Sequence, residues 1–401
     1  MSKSYTSKNV PLLSTQLLET YSAAFDTPFF ERRPIAWSVK LERFTISSPM
    51  SCKLYWFNVF IILVFMNGSF TLVILARQLI YGQNTSWIGI FFPLFGFLIG
   101  VQFDFMLLTT YYAPEVTNLL QNLVTFEQRV LNESLPHIRE GAPRYKNLIL
   151  AFKLQNPVLV IFTFVFAGFG VYLKMCPHGY LFEEWYGPYL ENNGWARWTM
   201  RLLSYVTMVT GCLEQLQICA MFIAFIPTII LSWERIENLT SQLPTTTETQ
   251  FSNAVINYRE LHVLGKIGRD FVMSVMLQML WTYSFVCSGF TYVTIRLYGT
   301  MPTIIYLLAP YTCLVVFCVA YFLLRGLEGV NKKCVEGLAN LKLCRIRRSL
   351  ERRVINSIPV SAIQCGLLGY KIFQIEDGYK LEFFASVIDN TWNLLLSFPN
   401  A

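Results

Sequence analysis

The chain has 401 residues, of which 54% are hydrophobic and 16% aromatic, and its formal net charge is +7. Charged residues make up only 14% of the chain, well below the share of about 25% in soluble domains. This composition excludes an ordinary water-soluble protein and indicates a membrane protein throughout.

Long runs with few or no charges predict seven membrane spans, each long enough for a helix to cross a hydrocarbon core of about 30 Å. The second span contains Asp104 and the fourth contains Glu214. We expect both acids to face neighbouring helices, because a charge facing lipid is costly. The fold class is therefore an all-α membrane protein with seven transmembrane helices, at residues 55–76, 88–109, 157–174, 202–232, 271–295, 303–324 and 381–398.

The orientation follows from the basic residues, which are retained on the cytoplasmic side. The polar start of the chain shows no signal peptide, and the first span is expected to act as its own insertion signal. The run from Arg345 to Arg353 would be hard to translocate, which favours a cytoplasmic N-terminus. This orientation leaves only five basic residues outside: Arg77, Lys174, Arg197, Arg201 and Arg296.

Three segments between the spans carry apolar residues at helical spacing, which predicts helices outside the membrane. They lie within 114–150, in 251–270 before the fifth span and in 325–345 after the sixth. An apolar helix face needs a partner, and these faces are expected to cover one another in a compact inner domain. Binding to an anionic lipid surface is the alternative.

The predicted outer loop, residues 175–201, is rich in proline, glycine, acids and aromatics, and includes Trp195 and Trp198. Because Trp and Tyr favour the lipid headgroup level, anchoring at the membrane surface is one interpretation of this loop. A lid over a ligand pocket is the other. His178 alone does not make a metal site, and no metal is predicted.

The last predicted span is the most polar of the seven. Ser386, Asn390, Asn393 and Ser397 recur at steps of 4, 3 and 4, so they share one helical face, with Asp389 at its edge. Such a polar stripe should face protein or water rather than lipid. Hydrogen bonding between helices of one bundle would satisfy it. So would a water-filled pore lined by this helix from several subunits.

Motifs for chemistry are absent from the sequence. It contains no zinc-binding His-Glu-x-x-His, no P-loop and no glycine-rich dinucleotide turn, and His137, His178 and His262 are far apart. The basic run lacks interleaved aromatics, so it does not predict nucleic-acid binding. We therefore expect neither an enzyme nor a cofactor. A G-protein-coupled receptor is also disfavoured, because no Asp-Arg-Tyr follows the third span and the seventh lacks Asn-Pro-x-x-Tyr.

Residues 325–398 resemble the insect gustatory and odorant receptor superfamily, and their terminal motif is most similar to the gustatory branch. Members carry a basic helical loop, a short Gly-x-x-x-Phe-like segment and a terminal helix with Thr-Tyr, an apolar run and Gln-Phe. Here Trp392 stands for Tyr and Ser397 for Gln, and the apolar run is one residue shorter. The corresponding residues are Arg347-Arg-Ser-Leu-Glu, Ile358-Pro359, Gly369-Tyr-Lys-Ile-Phe373, Leu381 and Thr391-Trp-Asn-Leu-Leu-Leu-Ser-Phe398.

This resemblance implies a chemosensory receptor that is itself a ligand-gated, non-selective cation channel of the plasma membrane. The implied partners are a small-molecule ligand, membrane lipid and related subunits in a homotetramer or heterotetramer, with no nucleic acid. The implied organisation is a ligand-binding bundle at 1–324, cytoplasmic anchor helices at 325–380 with parts of 110–156 and 233–270, and a pore-lining helix at 381–401.

The resemblance also assigns roles to residues. The pore-lining residues are Ser386, Asp389, Asn390, Asn393, Leu394, Leu396 and Ser397, with Leu394 or Leu396 as an apolar gate that closes by dewetting. A ligand pocket is implied in the outer half of the subunit. Its candidate residues are Phe91, Phe92, Phe95, Phe166, Tyr172, Tyr205, Met208 and Tyr306. The alternative function is a monomeric seven-helix receptor that signals through a cytoplasmic partner. A transporter would predict internally repeated halves, which the sequence does not show.

Overall fold

A computed structural model describes most of the chain. The described residues are 13–25, 34–38, 43–81, 87–133, 143–241, 248–299, 303–343, 353, 356–358, 363–367 and 369–397.

The described chain is mostly helical. A π-helical section at Asn58–Ser69 joins two of the helices into one continuous rod. The helices are α1 (Leu13–Phe25), α2 (Lys53–Phe57), α3 (Phe70–Tyr81), α4 (Trp87–Tyr111), α5 (Ala113–Glu133), α6 (Pro143–Tyr172), α7 (Pro177–Asn192), α8 (Gly194–Ser241), α9 (Glu248–Ile267), α10 (Arg269–Arg296), α11 (Thr303–Leu343) and α12 (Tyr379–Ser397).

Four stretches of helix among the described residues are long and apolar enough to cross a membrane: Met50–Tyr81, Phe92–Tyr111, Arg269–Arg296 and Ala309–Asn340. They match the first, second, fifth and sixth predicted spans. This confirms a mostly helical chain with helices able to span a bilayer. The other three predicted spans lie in α6, α8 and, as far as Ser397, in α12, and they stay predictions as membrane crossings.

Two short antiparallel hairpins depart from the all-α prediction. β1 (Ile35–Ser38) pairs with β2 (Arg43–Ile46), and β3 (Gln364–Leu367) pairs with β4 (Tyr370–Gln374). Trp37 and Phe44 face each other across the first hairpin with ring centroids 4.9 Å apart, and Phe44 packs edge-on against Phe225 of α8 at 5.6 Å. The hairpins are stable because such aromatic and apolar side chains pack on the helices, since an isolated two-stranded ribbon is marginal.

The apolar faces predicted outside the membrane are buried in one hydrophobic core. On α5 the buried side chains include Leu119, Leu120 and Leu123, and on α11 they include Leu327, Val330 and Cys334. The same core includes Leu261 of α9, Ile375 beyond β4 and Phe383 of α12. The base of α12 therefore packs directly on the helices that extend out of the predicted membrane region.

Candidate functional site

The polar stripe of α12 lies on the surface of the subunit and is not enclosed by its helices. Phe383, Val387 and Thr391, spaced four residues apart, form the buried face of α12. Packing against α10 and α11 is strengthened by Phe384, whose ring stacks on Phe317 of α11 at a centroid distance of 4.2 Å. This face makes the contacts with the bundle. The polar stripe is therefore exposed along its whole length, at Ser386, Asn390, Asn393 and Ser397.

An open groove of about 620 Å³ runs along α12 on the side of the stripe. All four stripe residues line it, and the facing wall comes from α10, with Ser284 and Ser288 among its residues. The two walls are joined by hydrogen bonds: Asn390 Nδ2 donates to Ser284 Oγ at 3.3 Å, and Ser288 Oγ donates to the carbonyl of Val387 at 3.2 Å. Both helices therefore contribute hydroxyl or amide groups to a groove whose other lining residues are mainly apolar and aromatic.

The remaining predicted pore residues take different positions. Asp389 and Leu396 are exposed but do not line the groove. They lie on the side of α12 opposite the face that packs on the bundle. Leu394 lines the groove together with the stripe; it is half-buried and packs against a small cluster formed by Tyr292, Val293, Leu297 and Ala309. Leu394 and Leu396 lie about 200° apart around the helix, so they cannot face the same axis. Leu396 is 71% exposed, and the role of either leucine as a gate stays a prediction.

The serines of α10 are the feature of this site that the sequence interpretation missed. Ser284, Ser288 and Thr291 recur at steps of 4 and 3, the same helical signal that marks α12. In a helix whose other residues are mainly apolar and aromatic, that spacing predicts a polar edge. Polar edges on two adjacent helices indicate a water-exposed surface more strongly than a polar edge on one helix.

The predicted ligand residues fall into separate groups. Phe95, Phe166 and Tyr205 pack around buried Met208, Ala167 and Cys176, which joins α4, α6 and α8. Phe92 is fully buried beside Ile74 and Leu181, with its ring 5.3 Å from Tyr180. These residues thus form two neighbouring apolar clusters where α7 packs on the bundle.

Two other predicted ligand residues, Tyr172 and Tyr306, do not join those clusters. Tyr172 is 82% exposed at the end of α6. Tyr306 donates a hydrogen bond from its hydroxyl to the carbonyl of Thr294 at 3.0 Å, and its ring packs against Tyr298. The side chain of Phe91 lies outside the described residues.

The predicted outer loop forms α7 and the start of α8, where Trp195 and Trp198 lie. Helix α7 has two different faces. Inward, Leu181 and Leu190 are buried, whereas Trp185 and Tyr189 are half or more exposed on the outer face. The inner face packs on α3 and α8 like a cap, and the outer face carries the aromatic side chains that favour a lipid headgroup region. Anchoring at the membrane surface and a lid over a ligand pocket both stay predictions for this segment.

Ion pairs and a buried histidine hold α7 in place. Arg77 of α3 donates two hydrogen bonds of 2.7 Å to the carboxylate of Glu184, and Lys174 pairs with Glu183 at 2.6 Å. His178 lies between Cys176 Sγ, 3.2 Å from Nδ1, and Thr207 Oγ1, 3.2 Å from Nε2. Burial lowers the pKa of His178 to about 4 and raises that of Cys176 to about 11, so both side chains are neutral near neutral pH.

Asp104 and Glu214, which were expected to face neighbouring helices, differ in burial. Glu214 of α8 is buried. Asp104 is exposed but accepts a hydrogen bond from Gln278 Nε2 of α10. Two turns away on the same pair of helices, the ring of Phe97 stacks on that of Phe285, with their centroids 3.8 Å apart. Within the described residues, no group of three or more His, Cys, Asp or Glu side chains could hold a metal ion.

Comparison with known proteins adds no family assignment. No protein-family model matches the chain, and no curated protein matches it. The resemblance at 325–398 is therefore supported by the residues quoted for it alone, and function has to be inferred from the geometry of the site.

Proposed function

We propose that the protein is a chemosensory receptor subunit that forms a ligand-gated, non-selective cation channel, with α12 lining the pore. The observation that carries this proposal is the position of the stripe, which is exposed along an open groove on the subunit surface. At membrane depth, exposed amide and hydroxyl groups facing lipid would be left unsatisfied. A water-filled axis shared by several copies would hydrate them instead.

The charges of α12 favour cations in such a pore. Glu382 and Asp389 are the acidic side chains of α12, and both are exposed. Repeated around an axis by symmetry, they would form two rings of negative charge, the arrangement that attracts cations in channels. Lys380 does not oppose them, because its ammonium group is held by Glu328 and lies over the Tyr321 ring at 5.2 Å.

The same proposal includes the finer topology: seven spans, a cytoplasmic N-terminus, a tetramer of identical or related subunits and a location in the plasma membrane. It is supported by helices at each of the seven predicted positions. In this topology α7 is an extracellular cap and the clusters beneath it are the region of the ligand pocket. The core shared by α5, α9 and α11 then lies in the cytoplasm.

The proposal is tested by recording currents from the purified protein in planar bilayers with KCl on both sides, and then with NaCl on one side. A panel of sugars, amino acids and alkaloids serves to open it, alone or with a related subunit. We expect cation currents that select little between K⁺ and Na⁺. The double variant Asn390→Leu with Asn393→Leu should lose them, because it removes two of the four polar groups of the stripe.

A matched control is Asn118→Leu with Asn122→Leu, which changes two exposed asparagines at helical spacing on α5. It should fold and conduct like the wild type. Unchanged permeation in the stripe variant would refute the assignment of α12 to the pore. A protein that never conducts and elutes as a single copy would favour the monomeric receptor.

A further inference from the structure

The end of the groove next to the base of α12 differs chemically from the stripe. It is lined by Phe373 of β4, by Tyr379 and Glu382 of the first turn of α12, and by Trp281 of α10. The rings of Phe373 and Tyr379 stack with centroids 5.2 Å apart, so each ring restricts the position of the other. We call these four residues the aromatic end of the groove.

The charge of the groove lining is negative. Glu382 is the only Asp or Glu among the described residues that line the groove, and that lining contains no Lys, Arg or His. Glu382 is exposed and makes no ion pair with a described residue. The faces of aromatic rings also carry a partial negative charge, so the ring faces and the carboxylate both favour a cationic ligand.

We propose that the aromatic end of the groove binds a hydrophobic organic cation, such as a quaternary ammonium or phosphonium ion. A groove of about 620 Å³ is in the range of sites for small organic molecules, about 300–1,000 Å³. The carboxylate of Glu382 neutralises the ion, Trp281 offers a ring face to the cation, and the apolar wall contributed by Leu280 and Phe285 covers its substituents.

A lipid acyl chain fits this surface less well. It would cover the hydroxyl and amide groups of Ser284, Ser386 and Asn390 without forming hydrogen bonds, which is unfavourable. It would also leave the Glu382 carboxylate without a counter-charge. An organic anion would face the same carboxylate and ring faces with the wrong sign.

Binding at this place has a consequence that rests on the proposed function. If α12 lines the pore, a cation held by Glu382 lies beside the conduction path and blocks it from the cytoplasmic end. Binding itself requires no conduction. It can therefore be measured on protein in which channel activity is absent.

The test uses two ions of nearly the same size and shape but opposite charge, tetraphenylphosphonium and tetraphenylborate. Binding to the purified full chain in nanodiscs is measured by calorimetry, with empty nanodiscs as the blank. We expect saturable binding of the phosphonium ion only. Glu382→Gln and Trp281→Ala should each weaken it about tenfold, the scale of a lost charge partner or cation–π contact.

Both changed side chains are exposed, with 75% of Trp281 accessible, so the variants should fold. Trp198→Ala and Glu336→Gln alter exposed residues outside the groove and should leave the affinity unchanged. Equal binding of the two ions, or full affinity in both groove variants, would show adsorption to lipid and overturn the proposal. Saturable, Glu382-dependent binding without any current would keep this site and refute the channel.

Discussion

Glu328 on α11 accepts a hydrogen bond from the backbone N–H of Lys380, in the first turn of α12, at 2.9 Å. The second oxygen of the same carboxylate lies 3.5 Å from the ammonium nitrogen of Lys380. One turn further along α11, Asn331 Nδ2 donates to the carbonyl of Ile375 at 3.1 Å. Since the first N–H groups of a helix have no partner within it, Glu328 supplies an acceptor for one of those of α12, the N–H of Lys380.

This contact matters because α11 is one uninterrupted helix from Thr303 to Leu343. In the proposed topology it runs from the outer end of the membrane to the cytoplasmic core. A shift of its outer end on ligand binding would therefore move the base of the pore helix directly. Glu328 is the residue through which that movement would reach α12.

We expect Glu328→Ala to lower the melting temperature, by a loss of about 1–2 kcal/mol of the free energy of unfolding. The reason is the loss of a charged hydrogen-bond acceptor from the start of a helix. Hydrogen exchange of the Lys380 amide should become faster, while exchange in the middle of α12 stays slow.

The control for this change is Glu336→Ala, two turns further along the same helix, at an exposed position. It should change neither measurement. Protection of the Lys380 amide that persists in Glu328→Ala would show that α12 is held by other contacts.

The second hairpin should depend on the absence of a side chain at Gly366. A Cβ there would overlap the backbone carbonyl of Tyr370 and come within 2.5 Å of Met273 Cε on α10. We expect Gly366→Ala to displace the hairpin, lower the melting temperature by several degrees and expose Cys365, which is fully buried, to thiol reagents.

Gly337→Ala is the matched control, because a Cβ at that position of α11 meets no other atom within 4 Å. Since alanine is the better helix former, this change should be neutral or stabilising by up to about 1 kcal/mol. If Gly366→Ala proves equally harmless, the hairpin does not pack against α10 in the way described.

The stability of the cap formed by α7 should fall in acid through His178. The pKa of this histidine is about 4 in the folded chain, below the ordinary value of about 6.5. The unfolded chain therefore binds the proton more tightly, and stability is lost as the pH falls from about 6.5 to 4. The expected loss is on the order of 3 kcal/mol.

Melting curves between pH 4 and 7.5 measure this dependence. In His178→Gln the part of the slope due to this histidine should disappear, while the slope from other groups stays. Identical pH dependence in the two proteins would show that His178 is accessible to protons in the folded state.

Much of the helical organisation follows from local sequence. Long apolar runs have to cross the bilayer as helices, because no other open structure satisfies the backbone there, and the helices occur where those runs lie. The apolar face at Leu327, Val330 and Cys334 was predicted from helical spacing, and it is buried because such a face outside the membrane packs on other helices. The outward direction of the α12 stripe also follows locally, since Phe383, Val387 and Thr391 occupy the face that packs on the bundle.

What depended on tertiary contacts was harder to predict. Strands β1 to β4 have only four or five residues each, and their stability comes from helices distant in sequence, as with Phe44 on Phe225. Tyr172 and Tyr205 were both predicted as ligand residues in the outer half of the subunit, yet one is exposed and the other packed. Their surroundings are set by neighbouring helices that spacing alone does not identify. The same holds for Ser284, whose role appears only beside Asn390.

The central claim is that the polar stripe of α12 faces a water-filled axis shared by copies of the chain. The most direct measurement is electron cryo-microscopy of the purified protein in nanodiscs, which gives both particle symmetry and the position of α12. The account predicts fourfold symmetry, with Asn390 and Asn393 of each subunit facing the central axis. A single copy with the groove open to lipid, or an assembly in which other helices cover the stripe, would contradict it.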